Sequence, residues 1–371
     1  MTLVSVLACD TYDLDAVRGS VAALLAPLGG VGAFVRPGMR VLLKPNLLSA
    51  AGIEKAVTTH PVVVRAVAEI VQSAGGIVLI GDSPAGPSEL SAEVLRTSGM
   101  AEVAASTGAV LAPFSEVTWK RLDGQDYFIA RPVLDADLVV NLPKLKTHAF
   151  ARYTGAVKNM FGVIPGGRKR EIHLRAPGIA DFSRALVDVL ELVRPSLTIL
   201  DGVIGQEGEG PGVRGTPRPY GCLAASTDPV ALDSVLCTAM GFHPGQVLHI
   251  AQAASRKLGI TDPDAVRIVG DLTALRFGRV KLPAAHWYFS APSWVSAPVY
   301  RSARLRPAVA DSRCAGCGQC SAVCPRGAIE PGQPPRFDMD ACVGCMCCAE
   351  ICPEGAIEAR QNWVARLIGA N

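Results

Sequence analysis

The chain has 371 residues, 49% of them hydrophobic, and a mean hydropathy of +0.29, which excludes disorder and supplies core for about two domains. Its 36 Lys and Arg against 33 Asp and Glu leave a net charge of +3, with no basic run of about five residues or more, so nucleic acid is not an expected partner. The opening MTLVSVLACDTYDLD has no basic leader segment, and the apolar stretch from Val21 to Val35 is broken by Pro and Gly. The expectation is a soluble, unexported, cytoplasmic protein.

In chain order, Asp13 caps a helix whose Val17, Val21, Leu24, Leu25 and Leu28 keep helical spacing before Gly29 and Gly30 end it. Arg40 to Leu43 reads as a short buried strand. A second helix runs from Pro61, with Thr58, Thr59 and His60 at its opening, through Val64, Val67 and Val71 to Gly75 and Gly76, and strand Ile77 to Ile80 follows at once. Further strand-like runs are Ala109 to Phe114, Leu138 to Asn141, Leu197 to Leu200, Leu223 to Ala225 and Val266 to Val269, with helical periodicity at Phe182, Leu186, Leu190 and Val193. Such alternation predicts an α/β body whose mostly parallel sheet is flanked by helices.

A polar group follows strand after strand: Lys44-Pro45-Asn46, Gly81-Asp82-Ser83-Pro84, Asn141-Leu142-Pro143-Lys144, Asp201-Gly202 and Ser226-Thr227-Asp228-Pro229. In open parallel sheets ligands sit outside the carboxyl ends of the strands, so these tips are expected to face one cleft. Asp228, just before Pro229, reads more as a helix cap than as a catalytic acid.

Nine of the twelve cysteines lie between Cys314 and Cys352. Cys314-x2-Cys317-x2-Cys320-x3-Cys324-Pro325 and Cys342-x2-Cys345-x2-Cys348-x3-Cys352-Pro353 both match the bacterial two-cluster ferredoxin spacing. Three thiolates from one tight turn cover three irons of a cubane, and the proline turns the chain so that the fourth reaches the neighbouring cluster. Cys314, Cys317, Cys320 and Cys352 are thus expected to hold one 4Fe-4S cluster, and Cys342, Cys345, Cys348 and Cys324 the other. Structural zinc is the alternative, but it needs neither the third cysteine of each run nor the closing Cys-Pro. Cys347 lies off the spacing and reads as a buried thiol rather than a ligand; Cys9, Cys222 and Cys237 read as core cysteines. The fold expected is an α/β body over 1–275, a basic and aromatic connector over 276–310, a small α+β ferredoxin-like iron–sulfur domain over 311–360 and a tail over 361–371.

The connector has no acidic residue between Leu272 and Ala310, and Trp287, Tyr288, Phe289, Trp294 and Tyr300 alternate with Arg301 and Arg304. It reads as an arm packed on the body, with docking of an acidic redox partner or a membrane surface as alternatives. No nucleotide or flavin signature is present. The nearest glycine-rich segment, Gly205 to Gly210, carries Glu207 and Glu209, which would repel a pyrophosphate.

Between Asn141 and Gly167, Lys144, Lys146, His148, Arg152, Lys158 and Asn159 stand in an apolar, glycine-rich stretch without one acidic residue. Their counter-charges must come from distant carboxylates such as Asp82, Asp201, Glu207 or Asp228, from solvent, or from a bound anion. With Lys44 added, an anionic small-molecule substrate is the economical reading, and a buried lysine would have its pKa lowered toward neutrality.

VLLKPNLL at Val41 to Leu48, TTHP at Thr58 to Pro61, GDSP at Gly81 to Pro84, NLPKLKTH at Asn141 to His148, VKNMFGVIPG at Val157 to Gly166, GQEGEGP at Gly205 to Pro211 and STDPVALD at Ser226 to Asp233 together resemble the domain of unknown function 362 family. The resemblance implies an α/β body with an iron–sulfur partner domain and little about substrate. Lys44, Asn46, Asp82, Lys144, Lys146, His148, Lys158, Asn159 and Glu207 match its polar positions. The function expected is an iron–sulfur oxidoreductase that passes electrons from an external donor, such as a ferredoxin or flavodoxin, through two 4Fe-4S clusters to an anionic substrate with an activated C=C bond. An electron-transfer or redox-sensing module and a metallocofactor assembly factor are the alternatives.

Overall fold

The structure, a computed structural model, describes residues 2–84, 90–176, 178–283 and 306–360. The body's strands are β1 (Thr2–Ala8), β2 (Arg40–Pro45), β3 (Ile77–Ile80), β4 (Val110–Leu111), β5 (Val117–Leu122), β6 (Gln125–Ala130), β7 (Leu138–Leu142), β8 (Lys144–His148), β9 (Arg152–Thr154), β10 (Leu197–Gly208), β11 (Gly215–Ser226) and β12 (Val266–Gly270). Ten of them form one sheet in the order β12-β1-β11-β10-β7-β2-β3-β4, with β8 beside β10 and β9 beside β8; β5 and β6 form a separate hairpin. All neighbours on the path pair in parallel except β11, which runs antiparallel to β1 and β10.

Strand alternation divides the apolar residues between two cores. Val41, Leu43, Val140 and Leu142 face a layer with helices Leu14–Leu25 and Pro61–Ser73, whereas Leu42 and Val139 face a layer with helices Ile179–Leu192, Pro229–Ala239 and Leu248–Ser255. The caps are those the sequence predicts: Asp13 Oδ1 accepts from Ala16 N at 2.9 Å, and Asp228 Oδ1 from Val230 N and Ala231 N, both at 2.9 Å. Pro61 opens its helix; the first helix stops at Leu25, and Gly29, at φ 98°, ends the 3-10 turn Ala26–Leu28 that follows it.

Several features depart from the sequence reading. β1 and the β5–β6 hairpin were not expected, and Ala109 to Phe114 contributes only Val110–Leu111. β10 and β11 continue for 12 residues each, through polar and glycine-rich sequence that reads as loop, because they pair with one another along nearly their whole length. Ser226 pairs with Thr198, level with Asn141 and Lys44, but because β11 is antiparallel the chain leaves it in the direction opposite to the other strands, and Asp228 is taken up by Val230 N, Ala231 N and Ile260 N. The other four polar tips are brought together through the Lys44–Asp82, Lys144–Asp201 and Asn159–Asn141 contacts.

The C-terminal module pairs β13 (Arg306–Val309) with β16 (Ile357–Arg360) and β14 (Ile329–Glu330) with β15 (Arg336–Phe337). The end of the expected connector thus enters the module. Its start, 276–283, packs on the body: Arg218 Nη1 donates to Arg279 O at 2.9 Å and Gly208 N to Lys281 O at 2.7 Å. The connector aromatics Trp287, Tyr288, Phe289, Trp294 and Tyr300, with Arg301 and Arg304, lie outside the described residues, as does the tail 361–371. Among the described residues no helix is long and apolar enough to cross a membrane.

Candidate functional site: a buried cationic cleft facing a cysteine module

Lys44 ends β2, Asp82 follows β3, Lys144 opens β8 and Asp201 lies in β10, all at the carboxyl edge of parallel strands. Lys44 Nζ lies 2.8 Å from Asp82 Oδ1, and Lys144 Nζ 2.7 Å from Asp201 Oδ2, with all four side chains at most 2% exposed. Tyr12 OH accepts from Lys144 Nζ at 2.9 Å and donates to Asp201 Oδ1 at 3.0 Å, and its ring stacks on His60 at 3.5 Å between centroids. Burial lowers both ammonium pKa values, and the paired carboxylates oppose that shift. Gly162 is required beside the first pair: a Cβ there would meet Asp82 Oδ1 at 1.9 Å and Lys44 Nζ at 2.6 Å.

Lys146 is also fully buried, yet among the described residues its Nζ donates only to Val57 O, at 2.8 Å. Burial, then the Lys158 and Lys144 charges, place its pKa well below the ordinary value. Lys158 is half-buried, and no hydrogen bond or ion pair among the described residues takes up its ammonium; burial lowers its pKa, opposed by Glu350 and Cys347. Lys169 donates to Ser83 O and Pro84 O, with burial bringing it down to about 8.

Two expected site residues serve to hold the frame. Asn159 Nδ2 donates to Asn141 Oδ1 at 2.8 Å, and Asn141 Nδ2 to Ala156 O at 3.0 Å, which fixes the short helix Ala156–Asn159 on β7. Asp233 completes that frame: it accepts from Ala156 N at 2.6 Å, Val157 N at 2.8 Å and Tyr153 OH at 3.0 Å. Asn46 N donates to Thr59 Oγ1 at 2.8 Å, while its buried Oδ1 has no hydrogen-bond partner among the described residues. Glu207 lies apart from the lysines, on Arg218 Nη1 at 2.7 Å and Lys281 N at 2.9 Å.

His148 Nδ1 accepts from Phe150 N and Ala151 N, each at 3.1 Å, which leaves the proton on Nε2. That Nε2 lies 3.3 Å from Oε1 of Glu350, a residue of the module. Burial, then Lys158, bring the His148 pKa down to about 4. For Glu350 burial acts to raise the pKa, but His148 and Lys158 outweigh it and hold the carboxyl at about 2. His249, fully buried with neither ring nitrogen hydrogen-bonded among the described residues, senses both Lys158 and His148, and burial brings it down to about 3.

Glu350, His249, Lys169, Asp233 and Tyr12 were not read as site residues from sequence. One signal was available for Glu350: in the second cysteine run it occupies the place that Ala322 fills in the first. Asp233 closes the STDPVALD motif.

In the module, the helices Gln319–Val323 and Cys347–Ile351 each lie inside one cysteine run. Ala328 N donates to Cys324 Sγ at 3.2 Å and Ala356 N to Cys352 Sγ at 3.3 Å, a matched pair of N–H···S bonds after each Cys-Pro. Cys320 interacts electrostatically with Cys317 and Cys352, and Cys342 with Cys345 and Cys324. Cys324, Cys342, Cys345, Cys347 and Cys348 line one pocket. Among the described residues no three His, Cys, Asp or Glu side chains converge on a point suited to a single metal ion; a thiol-lined cavity with amide donors aimed at sulfur suits an iron–sulfur cluster. Arg170 Nη2 donates to Cys324 O at 2.8 Å, a second tie between body and module.

Comparison with known proteins agrees with these two parts. The model of the 4Fe-4S dicluster domain matches residues 313–356, so this part of the chain is an iron–sulfur, ferredoxin-type module. A thylakoid-associated protein of Synechocystis sp. (strain ATCC 27184 / PCC 6803 / Kazusa) is 38% identical over 275 residues, which span 73% of this chain and 83% of the relative. The lactate racemase apoprotein from Thermoanaerobacterium thermosaccharolyticum covers 76% of this chain and 87% of its own at 12% identity and a TM-score of 0.38, a likeness too slight to inform function. The model of the domain of unknown function (DUF362) matches residues 41–238, and the chain belongs to that family.

Proposed function

We propose that this protein is an iron–sulfur oxidoreductase in which electrons from an external donor, such as a ferredoxin or flavodoxin, pass through two 4Fe-4S clusters to an anionic acceptor in the lysine cleft. The supporting observation is the approach of Glu350 to His148: a residue between cluster ligands Cys348 and Cys352 lies 3.3 Å from the wall of the cationic cleft. Cys314, Cys317, Cys320 and Cys352 would hold one cluster, and Cys342, Cys345, Cys348 and Cys324 the other; when bound, they supply electrons one at a time.

The chain's own residues do the rest. Lys158 and Lys146 hold the anionic part of the acceptor and stabilise the charge that accumulates on it. An activated C=C bond conjugated to the carboxylate fits this field. Two electrons and two protons convert it to the saturated acid while the donor loses two electrons. Lys169, with its pKa near 8, is suited to supply a proton near neutrality. Asp82 and Asp201 oppose the loss of charge that burial imposes on Lys44 and Lys144, and Asp233 and Asn159 hold the segment that carries Lys158.

The test is reoxidation of the dithionite-reduced, full-length protein under anaerobic conditions by a panel of α,β-unsaturated carboxylates, followed at the cluster absorbance. Faster reoxidation with at least one of them, lost in Lys158→Ala with unchanged cluster content, is the expected result. If none of the panel accelerates reoxidation and no small molecule co-purifies with the protein, the reductase reading fails.

A further inference from the structure

The contacts between body and cysteine module gather on the second cluster's ligands. Arg170 Nη2 donates at 2.8 Å to the carbonyl of Cys324, the first-run cysteine that the spacing assigns to the second cluster. Met346 lines the pocket walled by Cys324, Cys342, Cys345 and Cys348, and it also lines a pocket at the body interface beside His148, Phe150 and Pro211. Glu350 reaches His148 at 3.3 Å, and the body backbone comes so close that a Cβ on Gly212 would lie 3.0 Å from Glu350 O. Lys158 interacts electrostatically with Glu350 and Cys347. In the first run, by comparison, Cys314 O accepts from Gln333 and Ser321 Oγ donates to Ile329 O, both within the module.

The two runs differ in sequence at these same points. Met346, Cys347 and Glu350 stand where the first run has Gly318, Gln319 and Ala322. Gly318 and Met346 share a left-handed backbone, at φ 72° and 61°, which glycine adopts freely and a residue with a Cβ adopts only under strain. Packing offsets that strain, since the Met346 side chain is buried where the second-cluster cysteines approach the body. Exposure is divided in the same sense: of the eight ligand cysteines, Cys317 of the first cluster is the exposed one.

We propose that the cluster held by Cys342, Cys345, Cys348 and Cys324 delivers electrons to the body across the Met346 contact, and that the cluster of Cys314, Cys317, Cys320 and Cys352 receives them from the donor at its exposed edge. This rests on the two-cluster reading above and deepens it by giving the clusters an order. Each electron lost by the ferredoxin or flavodoxin donor reduces the first-run cluster, which is reoxidised as the second-run cluster is reduced. Electron transfer weakens steeply with distance, so the cluster in contact with the body is the one that delivers. Glu350 and Lys158 offset one another there, and Arg170 is the charge the body adds beside that cluster.

The experiment reads reduction potentials rather than turnover, so its failure can be told from failure of the reductase reading. The anaerobically purified full-length protein is titrated with dithionite and followed by electron paramagnetic resonance, with Cys317→Ser and Cys345→Ser marking which signal belongs to which cluster. Arg170→Gln removes a cation that favours the reduced state and is expected to lower the reduction constant of the Cys345-marked cluster about threefold to tenfold, leaving the other within about twofold. Met346→Gly gives the second run the residue of the first, relieves the backbone strain and keeps the fold. It is expected to raise the potential of the same cluster as water reaches it, and it marks that cluster if a serine variant fails to load. An iron chelator is expected to strip the Cys317-marked cluster first. A shift of the Cys317-marked signal in Arg170→Gln, equal shifts of both, or no shift in either variant overturns the order and leaves the reductase standing. Four irons per chain instead of eight would remove the second cluster and the inference with it.

Discussion

Glu350 of the cysteine module and His148 of β8 meet at 3.3 Å, with the imidazole's other nitrogen committed to two backbone N–H groups. The contact couples the two parts of the chain, since Glu350 lies within the second cysteine run and His148 in the strand that carries Lys144 and Lys146. Removing the carboxylate leaves His148 and Lys158 facing one another. Glu350→Ala is therefore expected to keep its iron but to dock the module less firmly, seen as at least about tenfold faster hydrogen exchange in segments 148–152 and 346–352. Unchanged exchange would show that the contact does not hold the interface.

The Lys144–Asp201 pair is fully buried. Lys144→Met strands the carboxylate with Tyr12 and backbone donors and is expected to cost about 3–5 kcal/mol in urea denaturation. The double variant Lys144→Met/Asp201→Asn should recover a large part of that loss. If single and double variants are equally unstable, the pair is not the unit assumed here.

Gly162 has no room for a methyl group against Asp82 and Lys44. Gly162→Ala is expected to force the Lys44–Asp82 pair apart, lowering stability by about 2 kcal/mol or more and weakening anion binding. A crystal structure of the variant with the 2.8 Å contact intact would contradict this.

His249 is neutral in the fold down to about pH 3, whereas an unfolded histidine gains its proton near pH 6.5. Between those values the unfolded chain binds more protons, so stability is full above pH 6.5 and is lost as the pH falls. His249 alone accounts for about 2 kcal/mol of loss from pH 6.5 to 5. His249→Phe should show a correspondingly smaller drop in urea midpoint over that interval, and an identical drop would mean the imidazole titrates normally.

Cys347 follows Cys345 by two residues but stands off the ligand spacing. Cys347→Ser is expected to retain the full iron content, whereas Cys324→Ser should alter the cluster held by the second cysteine run rather than the first. Iron analysis and electron paramagnetic resonance of the reduced proteins check both. Loss of iron in Cys347→Ser would place that thiol among the ligands.

Local spacing carried much of the information. The cysteine runs, the helix caps at Asp13 and Asp228, and the parallel strands that end in Lys44, Asp82 and Asn141 were legible because each depends on residues within one turn or one strand. The strand character of Lys144 to His148 was not, since Lys-Leu-Lys-Thr-His has the alternation of an exposed strand or loop while all five residues are buried. Burial there is made possible by Asp201, more than fifty residues away, and by the Val57 carbonyl, and no local pattern announces such partners.

Sequence by itself determined the iron–sulfur module and the α/β character of the body, because thiol spacing and hydrophobic period are properties of neighbours along the chain. Tertiary structure alone decided which carboxylates pair with Lys44 and Lys144, that the chain after β11 leads Asp228 away to cap a helix, and that Glu350 reaches His148. These outcomes depend on strand direction and on charges brought together across long separations, where a reversal of one strand or the docking of one helix changes which groups face each other.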